Sequence, residues 1–268
     1  MYAETAHSFA CEGESLTAIA ATLPQSSKRG VLIIVGGPQY RAGSHRQFVL
    51  LARELARHDI PSLRFDVRGM GDSTGTPRGF EAIAADIRAA IDRFFIIQPV
   101  LTEVVLWGLC DAASAALFYA GQDARVHGLV LLNPWVRTSQ TAAQATLKHY
   151  YRSRFFDTDF WKKLMAGQFR PAVALRSLTG LALAAREPAA CGLPSRMRQG
   201  LHSFAGPVLV ILSGRDLTAR EFGDVCMRSD EWKRRTTLRE LPEANHTFAR
   251  AEWRDQVAAC TAEWVRSW

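Results

Sequence analysis

Val104-Val-Leu-Trp-Gly-Leu-Cys-Asp-Ala-Ala-Ser-Ala-Ala-Leu-Phe-Tyr-Ala120 joins a short apolar run to an alanine-rich stretch through Gly108-Leu-Cys-Asp-Ala112. The run 104–107 has the length and β-branched content of a strand buried in a parallel sheet, and residues 113–120 read as a helix. A strand that turns sharply into a helix with the pattern glycine-x-nucleophile-x-small is a nucleophile elbow. The turn exposes the central side chain, and the small residues two places to either side prevent clashes. Here the central residue is Cys110. A buried cysteine is more often an inert small hydrophobe, but the helix N-terminus behind this one favours a thiolate over a thiol. Cys110 is therefore the candidate nucleophile.

Working outward, the same strand–helix alternation recurs. Val31-Leu-Ile-Ile-Val35, closed by Gly36-Gly37-Pro38, reads as another buried strand. In 45–57, Phe48, Leu51, Ala52 and Leu55 recur at helical spacing with arginines on the other side. Strands are expected at 61–66, 102–107, 126–132, 207–212 and 236–241, and helices at 79–95, 111–120 and 252–268. Segments 8–11 and 16–20 flank Glu12-Gly13-Glu14 as a hairpin. Strands separated by single helices imply right-handed crossovers, hence an α/β fold with a mostly parallel central sheet flanked by helices.

Residues 137–200 interrupt the strand rhythm and are rich in alanine, leucine and aromatics, so they are expected to form a helical lid between two parts of one core domain, 1–136 and 201–268. This segment carries eleven basic residues against three acidic ones, so the net charge of +7 belongs to it. The basic residues follow no nucleic-acid recognition motif, which argues against that class of partner; an anionic small-molecule or carrier-bound acyl substrate is expected instead. The 268 residues, 48% of them hydrophobic, suffice for a full core. The first ten residues are too polar for a secretory signal or membrane span, which points to the cytoplasm. Five scattered cysteines without a C-x-x-C pair predict neither a disulfide framework nor structural zinc, and no metal or cofactor is expected.

A nucleophilic thiol requires a base and a group to orient it. His246, in Glu243-Ala-Asn-His-Thr-Phe248 just after the last expected strand, is the candidate base; the other histidines fall on helix faces, loop edges or near the N-terminus. Asp216, in Ser213-Gly-Arg-Asp216 at the end of the strand after the lid, is the candidate acid. It would hold the imidazole tautomer and stabilise its charged form. This gives the chain order nucleophile, acid, histidine. Asp224 and Asp111 are alternative acids. The oxyanion hole is expected to combine the backbone N–H of Asp111 with one from the loop Gly36-Gly37-Pro38-Gln39-Tyr40. Proline has no N–H, so that donor is Gly37 or Gln39.

With these elements, Arg64-Phe-Asp-Val-Arg-Gly-Met-Gly-Asp-Ser-Thr-Gly75 resembles the α/β-hydrolase superfamily over nearly the whole chain. More narrowly, Gly36-Gly-Pro-Gln-Tyr-Arg41 with Gly108-Leu-Cys-Asp-Ala112 resembles the hydrolase type 1 associated with the exosortase A system, encoded among bacterial exopolysaccharide genes. That resemblance implies a role in exopolysaccharide production. The chain departs from the superfamily pattern in three places. Cysteine replaces serine at the elbow, as in dienelactone hydrolases and polyhydroxyalkanoate synthases; Val35-Gly36 replaces the usual His-Gly; and Asp216 comes two residues after Gly214 where many relatives have three. The expected chemistry is attack of Cys110 on an ester or thioester to give an acyl-cysteine, resolved by water. Transfer to another acceptor, or a non-catalytic hydrolase-like binding protein, are the competing readings.

Overall fold

The computed structural model describes residues 2–24, 27–37, 39–136 and 192–268. The chain divides into two units, Met1–Trp135 with Arg196–Trp268, and Val136–Ser195. Most of the expected lid thus lies outside the described residues.

Eight strands form one sheet: β1 (Ala3–Cys11), β2 (Glu14–Thr22), β3 (Arg29–Ile34), β4 (Ser62–Phe65), β5 (Glu103–Leu109), β6 (Val126–Leu132), β7 (Val208–Ser213) and β8 (Thr236–Leu241). The helices are α1 (Gln47–Arg57), α2 (Ala84–Ile97), α3 (Asp111–Ala120), α4 (Leu193–Ser203), α5 (Leu217–Val225), α6 (Asp230–Arg235) and α7 (Ala251–Arg266). The sheet order is β1-β2-β4-β3-β5-β6-β7-β8, parallel from β4 to β8 and antiparallel at the β1–β2 and β2–β4 pairings. The N-terminal hairpin is longer than its apolar pattern suggests. Its two-residue turn, Glu12 and Gly13, has φ of 48° and 86°, and nine residue pairs follow from Cys11↔Glu14 to Ala3↔Thr22. Two positive φ values make this the turn whose twist matches the strands it joins.

Successive residues of a strand face opposite sides of the sheet. Val31, Ile33, Val105, Trp107, Val130, Leu209 and Ile211 lie on one side with Phe48, Leu51 and Leu55 of α1 and Val257, Ala258 and Ala262 of α7. Trp107 meets Phe48 edge to face at 5.7 Å. Gly30 faces the other side, where an added Cβ would lie 2.7 Å from the Phe94 ring of α2. Helices therefore cover both faces. The expected helix over 45–57 opens as a 3-10 turn at Ser44–Arg46, because His45 and Arg46 take φ of 52° and 59°, and becomes α-helical at Gln47.

From β3 the chain moves to β4 on one side, and from β5 to β6 on the other. The carboxyl ends of the adjacent strands β3 and β5 consequently mark the switch point of the sheet, the place where open α/β sheets bind ligands. The Ile34↔Gly108 register brings the Gly36-Gly37 loop beside Cys110. No described helix is long and apolar enough to cross a membrane.

Candidate active site

Cys110 stands between β5 and α3 with φ 62° and ψ −121°, a conformation that L-residues rarely adopt. Such a backbone costs on the order of 1–3 kcal/mol and persists only where its surroundings impose it. Here they do. The Cys110 N–H donates to the Leu132 carbonyl at 2.8 Å, and the Cys110 carbonyl accepts from Ala113 at 3.1 Å and from Trp135 at 3.2 Å. Gly108 leaves room for the turn, since a Cβ there would lie 2.6 Å from the backbone of Ala112. The thiol is partly exposed, whereas Cys11 and Cys226 are buried.

The loops after β7 and β8 are stitched to one another. Gly214 N–H donates to Leu241 at 2.9 Å and Arg215 N–H to Ala244 at 3.0 Å. A Cβ at Gly214 would lie 2.2 Å from the Pro242 carbonyl oxygen, so this close approach depends on glycine. Asp216 caps α5, accepting from Thr218 N–H at 3.3 Å and Ala219 N–H at 3.0 Å. Its Oδ2 also contacts His246 Nδ1 at 2.8 Å. Cys110 acts on the same imidazole and, together with Asp216, raises its basicity. Asp216, His246 and Cys110 thus form one continuous chain of contacts.

The charges follow from this geometry. The hydrogen bond to Asp216, joined by that to Cys110, pushes the His246 imidazole from its ordinary 6.5 up to about 10, against the opposing effect of burial. Burial also disfavours the charged form of Asp216, but the His246 contact and the Thr218 and Ala219 amides outweigh it and hold the carboxyl below its usual range. Asp224, the alternative acid on α5, pairs with Arg228 at 2.6 Å. Asp111, the other alternative, turns its carboxylate toward backbone amides: Oδ2 accepts from Gly37 N–H and Oδ1 from Ala112 N–H, each at 2.9 Å. Gln39 is drawn to Ser44, whose N–H its Oε1 accepts at 3.4 Å. The structure thus brings Cys110, His246, Asp216, Asp111 and Gly37 together, and the Gln39 side chain contacts Ser44.

Asn133 was not anticipated from the sequence. It is fully buried just after β6, where its Nδ2 donates to Ser213 Oγ at 2.8 Å and to the His246 carbonyl at 3.1 Å. Its Oδ1 accepts Ser213 N–H at 2.9 Å. The side chain ties the end of β7 to the backbone of His246. The one available sequence signal was Asn133-Pro134 directly after a strand, which reads only as a turn. Among the described residues, no group of three or more histidines, cysteines or acids is arranged to hold a metal.

The model of the alpha/beta hydrolase family matches residues 31–259, and the chain belongs to that family. Among solved structures, it is similar to an esterase of Pyrococcus furiosus at 14% identity and a TM-score of 0.69, covering 100% of this chain and 92% of that one. A dienelactone hydrolase of Anabaena variabilis aligns at 17% identity and a TM-score of 0.62, over 98% and 96% of the two chains. A Xanthomonas campestris protein, described as an α/β serine hydrolase without lid, aligns at 17% and 0.60 over 99% and 96%. No curated protein matches the chain.

Proposed function

We propose that this chain is an esterase or thioesterase that works through an acyl-cysteine on Cys110. The observation that carries this reading is the contact chain Asp216–His246–Cys110, with the cysteine held at positive φ between strand and helix. An imidazole made this basic is suited to accept a thiol proton. With the Cys110 proton already held on His246, the sulfur bonds to the substrate carbonyl carbon, and the carbonyl oxygen becomes an oxyanion. Collapse breaks the bond to the leaving alcohol or thiol, which departs with the proton from His246. Water then gives a proton to His246 and attacks the acyl-cysteine; the acid is released and the sulfur departs as thiolate beside the protonated His246, the starting state. Asp216 remains ionised throughout and orients the imidazole.

The sequence likeness to the exosortase-associated hydrolases supports a role in bacterial exopolysaccharide production, and the basic composition of 137–200 supports an anionic substrate or carrier. The test is acid-quenched intact-mass measurement after mixing with p-nitrophenyl acetate. An acetyl adduct is expected on the native protein, absent in Cys110→Ala and strongly slowed in His246→Ala. An adduct of equal rate in Cys110→Ala, or none on the native protein across activated esters and thioesters, refutes the reading.

A further inference from the structure

One of the two amides expected to receive an oxyanion, that of Gly37, is already in use. Asp111 Oδ2 accepts the Gly37 N–H at 2.9 Å and Oδ1 accepts the Ala112 N–H at 2.9 Å. The cradle is shaped around this group. A Cβ on Gly36 would lie 2.1 Å from Asp111 Oδ1 and 2.8 Å from Ala112 N, so a larger residue there would expel the carboxylate. Each N–H carries a single hydrogen, so the Gly37 amide cannot fully serve the Asp111 carboxylate and a substrate oxyanion together. Hydrogen bonds with an ionised acceptor are also stronger than those to a neutral carbonyl. A ground-state ester oxygen therefore competes poorly for this position.

We propose that Asp111 is a specificity-determining residue: its carboxylate is the resting occupant of the oxyanion cradle, and it yields to acyl substrates that carry a hydrogen-bond donor beside the scissile carbonyl. This rests on the esterase reading of the site above. Rotation of the Asp111 side chain out of the cradle strips it of its amide partners. A hydroxyl or ammonium group next to the carbonyl restores a partner at the moment the carbonyl oxygen enters. A plain acyl group leaves the displaced carboxylate without that compensation. The substrate class selected is thus 2-hydroxyacyl, 2-aminoacyl or similarly substituted, in preference to simple alkanoyl.

The experiment compares phenyl acetate with phenyl glycolate, each kcat/KM normalised to that ester's hydroxide-catalysed rate. In the native protein the normalised glycolate value is expected to exceed the acetate value at least tenfold, about 1.4 kcal/mol of discrimination. Asp111→Ala is expected to raise acetate turnover about tenfold and bring the two esters close to parity. A native ratio near one overturns the proposal, as does an equal fall for both esters in Asp111→Ala, the signature of a lost helix cap alone. Acetate titration followed by amide NMR separates this from failure of the esterase reading. In Asp111→Ala, acetate is expected to move the Gly37 amide resonance, and in the native protein to leave it unmoved. Should the native protein be inert to every ester, that contrast still supports the occupied cradle, and its absence refutes it.

Discussion

Replacing Asn133 with alanine removes three hydrogen bonds at once and leaves the buried Ser213 groups without them. The lost contacts are Nδ2 to Ser213 Oγ at 2.8 Å, Nδ2 to the His246 carbonyl at 3.1 Å, and Ser213 N–H to Oδ1 at 2.9 Å. Asn133 is 0% and Ser213 1% exposed, so bulk water does not reach the abandoned Ser213 groups. A neutral hydrogen bond contributes about 1 kcal/mol net and a buried orphan costs about 1–3 kcal/mol, so the variant is expected to lose roughly 2–4 kcal/mol. Against a typical total of about 5–15 kcal/mol the chain remains folded. The measurement is urea unfolding followed by tryptophan fluorescence, paired with the rate of Cys110 acylation by p-nitrophenyl acetate. Loss of the anchor on the His246 backbone is expected to slow acylation about tenfold even in fully folded protein, because sub-ångström misplacement of a catalytic group is costly. A stability change below about 0.5 kcal/mol, within the range of ordinary surface substitutions, refutes the clasp. Intact acylation in a destabilised protein would confine Asn133 to folding.

The Asp216–His246 contact makes a pH-dependent contribution of definite sign. Because His246 is raised from 6.5 to about 10, its stabilisation is complete below about pH 6.5 and is lost as pH climbs through about 10. Asp216 is held below its ordinary 3.8, so its own contribution is present above that value and disappears in stronger acid. Native protein and Asp216→Asn should therefore differ most between about pH 4 and 6.5 and converge toward pH 10 in urea unfolding; a constant gap across pH 6–10 contradicts the pairing. Iodoacetamide at neutral pH followed by peptide mapping is expected to label Cys110 well before Cys226, whose thiol burial pushes up to about 12, and His246→Ala should erase much of that preference. Gly214→Ala places a Cβ 2.2 Å from a backbone oxygen, so the β7 and β8 loops must part. At least about 2 kcal/mol of destabilisation is expected, together with a fall in Cys110 labelling, and neutral behaviour in both measurements would show that the stitch is dispensable.

Much of this site could be read before any coordinates, for reasons that differ residue by residue. Continuous β-branched runs such as Val31–Val35 belong to strands buried on both faces, and their alternation with helices implies the parallel sheet. Cys110 was recognisable because the elbow is a local object, made of a strand, a tight turn and a helix within one short stretch. His246 and Asp216 could be singled out because each follows a strand, although nothing local states that β7 and β8 are neighbours. The polar strand β1 was underestimated because its outer residues are exposed and its pairing is carried by backbone. The short helices α5 and α6, of nine and six residues, have too few turns to display a period. Asn133 was invisible as a clasp because its partners lie 80 and 113 residues downstream and meet it only once β6 pairs with β7. The occupation of the cradle by Asp111 was equally hidden, since it depends on β3 and β5 being adjacent.

The stretch Arg64–Gly75, which carried the sequence resemblance, acts on the site through its frame. Asp66 is fully buried and accepts the Arg41 N–H at 2.6 Å and the Asp72 N–H at 3.0 Å, while the Arg41 guanidinium pairs with both Asp66 and Asp72. A buried carboxylate left without such partners would cost several kcal/mol, so the Arg41 end of the Gly36–Arg41 loop is held to the end of β4 by a requirement of charge. Gly71, at φ 53°, permits this, since a Cβ there would lie 2.3 Å from Asp66 Oδ2. Ser73 closes the loop from the other side, donating to the Asp66 carbonyl at 2.7 Å and accepting the Thr17 N–H at 2.9 Å. Arg68 is anchored in turn on buried Asp86, with Nε to Oδ1 at 2.9 Å and Nη2 to Oδ2 at 2.8 Å. These two ion-pair networks lie at the carboxyl end of β4, one strand away from the Gly37 amide. A change at Arg41 or Asp66 is thus a change in where the Gly37 amide sits, and its effect on the proposed reaction should follow that amide rather than the charge removed.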